Sequence, residues 1–332
     1  MRWAKLVLLS VFFLVAPLSS ALSADDFQEA ERLYFAGEWA QAESLYAKIP
    51  ASHADYASSL LRRGTICYTT GRPAQAAELF ENYLRLRPTA EAYCLLAGAQ
   101  FNLEKLDDAY ASAKEAIQLD PRYARAYTSL GMIYTAIKDF PDAQAAFQES
   151  LRLNPGDADT WFIMGRSYFL RDDFPKARAA FESSRRLNPK EMRCYENLAL
   201  TLDLMDQPAE AETAYQQGIK VNQERKYPSP QIYIDYGKFL AKRGRPAESL
   251  AQLREAVRVA PQGAEAHYEL SSQLARMQEW AEAAREGETA LHAGPSDYRI
   301  HYLLARIYTA MGNTRAAAEH AEEAARLTDQ RP

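Results

Sequence analysis

Apolar residues in this chain recur three and four positions apart, in short stripes separated by polar turns. Tyr127, Leu130, Gly131 and Tyr134 form one stripe, and Phe140, Ala143 and Phe147 form the next, before Pro155. Residues so spaced share one face of a helix. Proline lacks an N–H and clashes with the preceding turn, so Pro155 ends the second stripe. The pattern predicts two helices joined by a tight turn. The same order returns at Trp161, Met164, Gly165, Tyr168, Phe174, Ala177, Phe181 and Pro189, place for place. Another such turn reads Arg243-Gly244-Arg245. No run of alternating β-branched residues bounded by turn signals predicts a strand.

Prolines mark the period along the whole chain. Pro88, Pro121, Pro155, Pro189, Pro261 and Pro295 are separated by 33, 34, 34, 72 and 34 residues. The gap of 72 holds one repeat without its proline and an insertion of four residues. Counting 24 back from each proline gives Gly64, Ala97, Gly131, Gly165, Gly237 and Ser271, all small. Counting 12 back gives Ala76, Ala109, Ala143, Ala177, Ser249 and Ala283. Counting 28 back gives Leu60, Tyr93, Tyr127, Trp161, Tyr233 and His267. Small residues at two fixed places let two helices approach closely, while bulky ones fill the space between units. Nine units fit this phase, from a degenerate first one around Glu31 to Ile49 to a last one starting at Tyr298.

This pattern resembles the tetratricopeptide repeat, over nearly all of the chain after its first residues. The resemblance implies an all-α solenoid of about nine antiparallel helix pairs, wound into a right-handed superhelix whose concave face is lined by first helices. One pair cannot bury its apolar face alone, so each unit leans on the next. The expected organisation is a signal segment at 1–21, with a cut as late as 24, then units one to six at 25–222, an insertion loop at 223–230, and units seven to nine at 231–332. The loop reads Asn-Gln-Glu-Arg-Lys-Tyr-Pro-Ser-Pro from Asn222 to Pro230 and is expected to kink the array or to bound a domain.

Composition narrows the function. Hydrophobic residues make up 48% of the chain, enough for a large core. The net charge of −5 leaves no basic footprint for nucleic acid. Cys67, Cys94 and Cys194 are too few for a disulfide framework, and their spacing fits no zinc site. The chain has no G-x-S-x-G, Gly-rich phosphate loop or H-E-x-x-H. The carboxylate pairs Asp107-Asp108 and Asp172-Asp173 read as caps in turns. His267 and His301 stand 34 apart at one repeat place, where each reads as a replacement for the usual aromatic. A non-enzymatic protein is expected, with no metal or cofactor.

The resemblance also marks a candidate site. Groove-facing residues in the family lie at the second, fifth, ninth, twelfth and thirteenth places of each unit. These places carry the aromatics Tyr68, Phe101, Phe162, Phe169, Tyr268 and Tyr302, with Phe27, Tyr34 and Phe35 near the start. They also carry the cations Arg166, Arg193, Lys238, Arg276 and Arg306, with Arg125. Exposed aromatics with arginine are typical of binding hot spots. An extended peptide with acidic and aromatic groups is the expected ligand, centred on Phe162, Arg166, Phe169 and Arg193. Chaperone-binding members of the family grip a carboxylate with asparagines and cations at the ninth places. Those places here read Glu31, Thr65, Gly98, Met132, Arg166, Leu200, Lys238, Ser272 and Arg306, with no asparagine, so that device is not expected.

Arg2 and Lys5 precede a twelve-residue apolar run from Val7 to Leu18, then Ser19, Ser20 and Ala21. This order matches a secretory signal peptide, and the run is shorter than the about 20 residues that span a membrane. Cleavage removes two positive charges and takes the net charge from −5 to −7. The expected protein is therefore a periplasmic or extracellular scaffold, soluble after cleavage, that binds a protein or peptide in cell-envelope assembly or secretion. An uncleaved start would tether it to the membrane instead. Self-association as a structural unit, or regulation of an enzyme that handles polymers or glycans, are the alternatives. N-terminal sequencing of exported protein should begin near Leu22 or Asp25; a chain that still starts at Met1 would contradict the signal assignment.

Overall fold

A computed structural model describes residues 24–294 and 297–329. The expected signal segment at 1–21 and Pro295 lie outside them. The described residues form eighteen helices and no strand. Two compact units divide the chain, Met1–Ile133 and Tyr134–Pro332, so the division falls within a helix and not at the insertion. The first unit contains α1 (Ala24–Ala36), α2 (Trp39–Tyr46), α3 (Tyr56–Thr69), α4 (Pro73–Leu86), α5 (Ala90–Asn102), α6 (Leu106–Leu119) and most of α7 (Ala124–Ala136). The second contains α8 (Phe140–Leu153), α9 (Ala158–Leu170), α10 (Phe174–Leu187), α11 (Met192–Leu204), α12 (Pro208–Gln223) and α13 (Gln231–Lys242). It continues with α14 (Pro246–Val259), α15 (Ala264–Arg276), α16 (Trp280–Ala293), α17 (Tyr298–Ala310) and α18 (Thr314–Asp329).

Within each compact unit an odd-numbered first helix packs against the second helix that follows it. The turn between them is the same throughout. Gly37, Gly71, Glu104, Lys138, Asp172, Asp206, Gln278, Gly244 and Gly312 all have positive φ, between 55° and 81°. The residue after each donates its N–H five residues back, as in Arg72 to the Cys67 carbonyl at 2.8 Å and Asp173 to the Tyr168 carbonyl at 3.0 Å. This left-handed closure satisfies carbonyls that a helix end leaves open. Glycine suits the conformation; the five other residues hold it against a steric cost of order 1 kcal/mol. The paired carboxylates refine the capping expectation. Asp107 and Asp108 sit in the first turn of α6, after the cap. Asp172 is the left-handed residue, and Asp173 caps α10 without a side-chain hydrogen bond to its backbone.

The contact inside each repeat depends on volume. Ala76, Ala109, Ala143, Ala177, Ser249 and Ala283, the small residues of second helices, have no exposed surface. Opposite them, a β-carbon added to Gly64 would lie 2.5 Å from Phe80, and one added to Gly165 would lie 2.7 Å from Phe181. At Gly237 the obstacle is Leu253, at 2.8 Å. Phe80 and Phe181 are wholly buried, which contributes about 1.5–3 kcal/mol each.

The insertion lengthens one second helix and then makes an irregular loop. The helix α12 has 16 residues where α10 has 14. Asn222, fully buried, closes the loop by donating Nδ2–H to the Ser229 carbonyl at 2.8 Å and accepting the Ser229 N–H at 2.8 Å. Tyr227 stands out at its tip, 75% exposed.

All three cysteines are free, with Cys67 and Cys194 buried and Cys94 half-buried. Burial pushes each thiol above its ordinary pKa. Alkylation of denatured, unreduced protein should add three groups by mass; fewer would reveal a bridge. Gly165→Leu should cost at least about 1–3 kcal/mol, because its first carbon already overlaps Phe181. Hydrogen exchange should rise most in α9, α10 and their neighbours, and an unchanged melt would contradict the assigned contact.

Candidate functional site

The eleven residues expected to line the groove fall into different environments. Phe162 corrects the expectation. It is only 5% exposed and packs on Phe181 at 5.8 Å between ring centres, so it belongs to the interior. Phe181 fills the space over Gly165, and the Phe162 ring packs beside it. Arg193 covers Phe162, with the guanidinium 5.0 Å from the ring centre. Phe169 is half-buried against Phe174 at 5.6 Å. In the first compact unit, Tyr68 and Phe101 are half-buried. Phe35 is 72% exposed and shares the Arg62 guanidinium with Tyr34, at 5.3 and 4.8 Å. Tyr302 on α17 is 68% exposed and Arg306, one turn on, is exposed too.

Charge pairing divides the cations. Arg193 is held by Glu191 at 2.8 Å and lies 3.9 Å from Asp159. Lys238 bonds Glu269 at 3.0 Å. Arg166, Arg276 and Arg306 are exposed and make no hydrogen bond or ion pair among the described residues. These three retain full capacity for a ligand's acidic group.

One cleft gathers several of these residues. It holds about 500 Å³ between the first helices α13 and α15, with α14 beneath. Lys238, Tyr268 and Arg276, three expected site residues, line it together with Lys242, Ser249, Glu269, Ser272 and Gln273. Lys242 is turned toward Asp203, at 2.9 Å. Burial pushes the Asp203 carboxyl up, but its bonds to Lys242 and Arg243 outweigh this and hold it below its ordinary value. Tyr268 carries the Arg299 guanidinium 5.2 Å from its ring centre. Ser249 is fully buried and its Oγ has no hydrogen-bond partner. Arg276, the unpaired cation of this lining, stands beside Tyr268, which suits the cleft to an anionic group with an adjoining apolar part.

Some of the site was not anticipated. Glu196 of α11 feels the charge of Asp235 of α13. Burial, then Asp235, pushes Glu196 up to about 7, and burial raises Asp235. Glu196 Oε1 is buried without a partner. Glu196 stands at a fifth place, so its position was readable, but its neighbour across the insertion was not. Lys242 stands at a thirteenth place and fits the same rule. Gln273 and Ser249 fit no groove place, and only packing reveals them.

Among the described residues, no group of three or more His, Cys, Asp or Glu could hold a metal ion, and no helix is long and apolar enough to cross a membrane. His267 does not meet His301; it packs at 6% exposure against Glu286 at 2.6 Å.

Comparison with known proteins agrees with this architecture. The tetratricopeptide-repeat profile matches residues 27–91, 94–158, 129–192, 197–264, 237–286 and 268–332. Curated proteins give no match. Among solved structures, the APC/C hetero-tetramer Cut9–Hcn1 is similar at 15% identity and a TM-score of 0.57, over 87% of this chain and 57% of that one. A tetratricopeptide repeat protein from Parabacteroides merdae is similar at 17% identity and a TM-score of 0.53, over 77% of this chain and 100% of that one. At such identities the likeness concerns the fold alone. With repeat matches across most of its length, the chain belongs to the tetratricopeptide-repeat family.

Proposed function

We propose that this protein is an exported scaffold that binds an extended segment of another protein across its first helices, in cell-envelope assembly or secretion. Tetratricopeptide-repeat proteins are typically non-enzymatic scaffolds for protein–protein contact. The observation that carries the reading for this chain is the cleft between α13 and α15, where Arg276 is unpaired beside Tyr268 and Lys238. An acidic side chain of the ligand would meet Arg276, and its neighbour would lie on the Tyr268 ring. Arg306 and Tyr302 on the following first helix continue the same chemistry. Export rests on the charged start, the short apolar run and the small residues that end it.

Arg276→Glu tests the site directly. The side chain is exposed, so stability should change by no more than about 0.5 kcal/mol. Affinity for a partner captured by the wild-type mature protein should fall at least about tenfold, or about 1.4 kcal/mol, with helicity and melting unchanged. A variant that keeps every wild-type partner at full affinity would move the site away from this cleft.

A further inference from the structure

The last helix, α18, packs on α17 with Ala316 and Leu327 half-buried and two small residues fully buried. Its buried residues are Ala317 and Ala324, each offering one methyl group. A polar contact with α17 is made by His320, whose Nδ1 lies 3.0 Å from His301 Nδ1. His301 is 9% exposed. The other nitrogen of His320 lies 3.2 Å from Glu288 of α16, and Tyr308 of α17 donates its hydroxyl to the same carboxylate at 2.9 Å. The Tyr308 ring stacks on His320, 5.5 Å between centres and 9° from parallel.

One repeat earlier, the same two places carry a different pair. His267 and Glu286 precede His301 and His320 by 34 residues each. There His267 Nδ1 meets the Glu286 carboxylate at 2.6 Å and Nε2 meets the Pro261 carbonyl at 3.0 Å. Each ring nitrogen faces an acceptor, so an added proton finds a partner. In the last repeat the carboxylate is replaced by a second imidazole. An Nδ1–Nδ1 contact accommodates one proton between the two rings; a second sets N–H against N–H.

We propose that the His301–His320 pair is a proton-operated latch on α18: it closes while at least one facing nitrogen is bare, and double protonation opens the last helix pair.

The surrounding charges are mixed. Burial and then His320 push the His301 pKa below its ordinary 6.5; Glu323 of α18 and Glu288 of α16 favour its proton, and Arg326 of α18 opposes it. A depressed histidine pKa in the docked state means that the undocked ring binds more protons below 6.5. Docking is therefore fully stable above that pH and weakens as pH falls through it. For one ring that titrates only when released, the opening equilibrium rises about tenfold at pH 5.5.

Hydrogen exchange at about pH 7.5 and about pH 5.5, corrected for the intrinsic rate, reads this opening in α18, with α14 as the internal reference. In the wild-type protein, α18 should lose about tenfold more protection than α14 on acidification. Two variants remove the imidazole pair. His320→Glu rebuilds the arrangement of the preceding repeat. His301→Tyr restores the aromatic that Tyr93 and Tyr127 supply at that place and adds no carboxylate beside Glu288. Should His320→Glu leave α18 open at both pH values, His301→Tyr decides. Loss of the pH dependence in His301→Tyr supports the latch. A wild-type α18 with equal protection at both pH values, or an acid-induced loss that persists in His301→Tyr, would overturn it.

Discussion

Everything in this protein depends on how closely two helices of one repeat can cross. The crossing is made by complementary volumes. Where the first helix has glycine, the second has a ring or a large aliphatic: Gly64 with Phe80, Gly165 with Phe181, Gly237 with Leu253. Where the first helix has alanine at that place the second varies: Ala113 stands opposite Ala97, but Tyr46 follows Ala30 and Tyr215 follows Ala199 by the same 16 residues, and all six are buried. Ser271 stands opposite Gly287, with its oxygen 3.2 Å from where a β-carbon would be. Protein interiors are packed as densely as organic crystals, so an error of one methyl group is felt. The tight turn follows from the same constraint. A close crossing requires the chain to reverse at once, and the left-handed residue with its backward hydrogen bond does so at every turn from Gly37 to Gly312.

Such a scaffold leaves the outer faces of first helices free to vary, and there the charges are mostly matched. Arg193 with Glu191, Lys238 with Glu269 and Lys242 with Asp203 each join an exposed cation to a largely covered carboxylate. Their effect is on recognition. Paired cations are less available to a ligand, so unpaired Arg166, Arg276 and Arg306 stand out. The cleft between α13 and α15 concentrates this contrast, because Arg276 shares it with two paired lysines and the buried Ser249 hydroxyl.

The helices, their phase and the small-residue contact were legible in the sequence, because periodic residues such as Gly165 and Ala177 report directly on packing. The left-handed turns were half legible. Gly71 and Gly244 signal them, but Lys138 and Gln278 adopt the same conformation without a compositional signal. The site was less legible. Place within a repeat gives the side of a helix, not its depth, and Phe162 was expected outward but lies inside. Ion pairing depends on residues far apart in sequence, such as Lys242 and Asp203, which no periodicity reports. The exchange of Glu286 for His320 at one repeat place was visible only once the rings were seen to touch.

A double-mutant cycle on Gly165 and Phe181 addresses the volume-matched crossing most directly, read from denaturant unfolding of the protein. Gly165→Ala alone should destabilise, because its β-carbon would lie 2.7 Å from the Phe181 ring. Phe181→Leu alone should destabilise by leaving space in a wholly buried position. If the two volumes are matched, the double variant recovers part of the loss, with a favourable coupling of at least about 0.5 kcal/mol. Additive losses, or a Gly165→Ala protein as stable as the wild type, would contradict the claim that this contact sets the repeat.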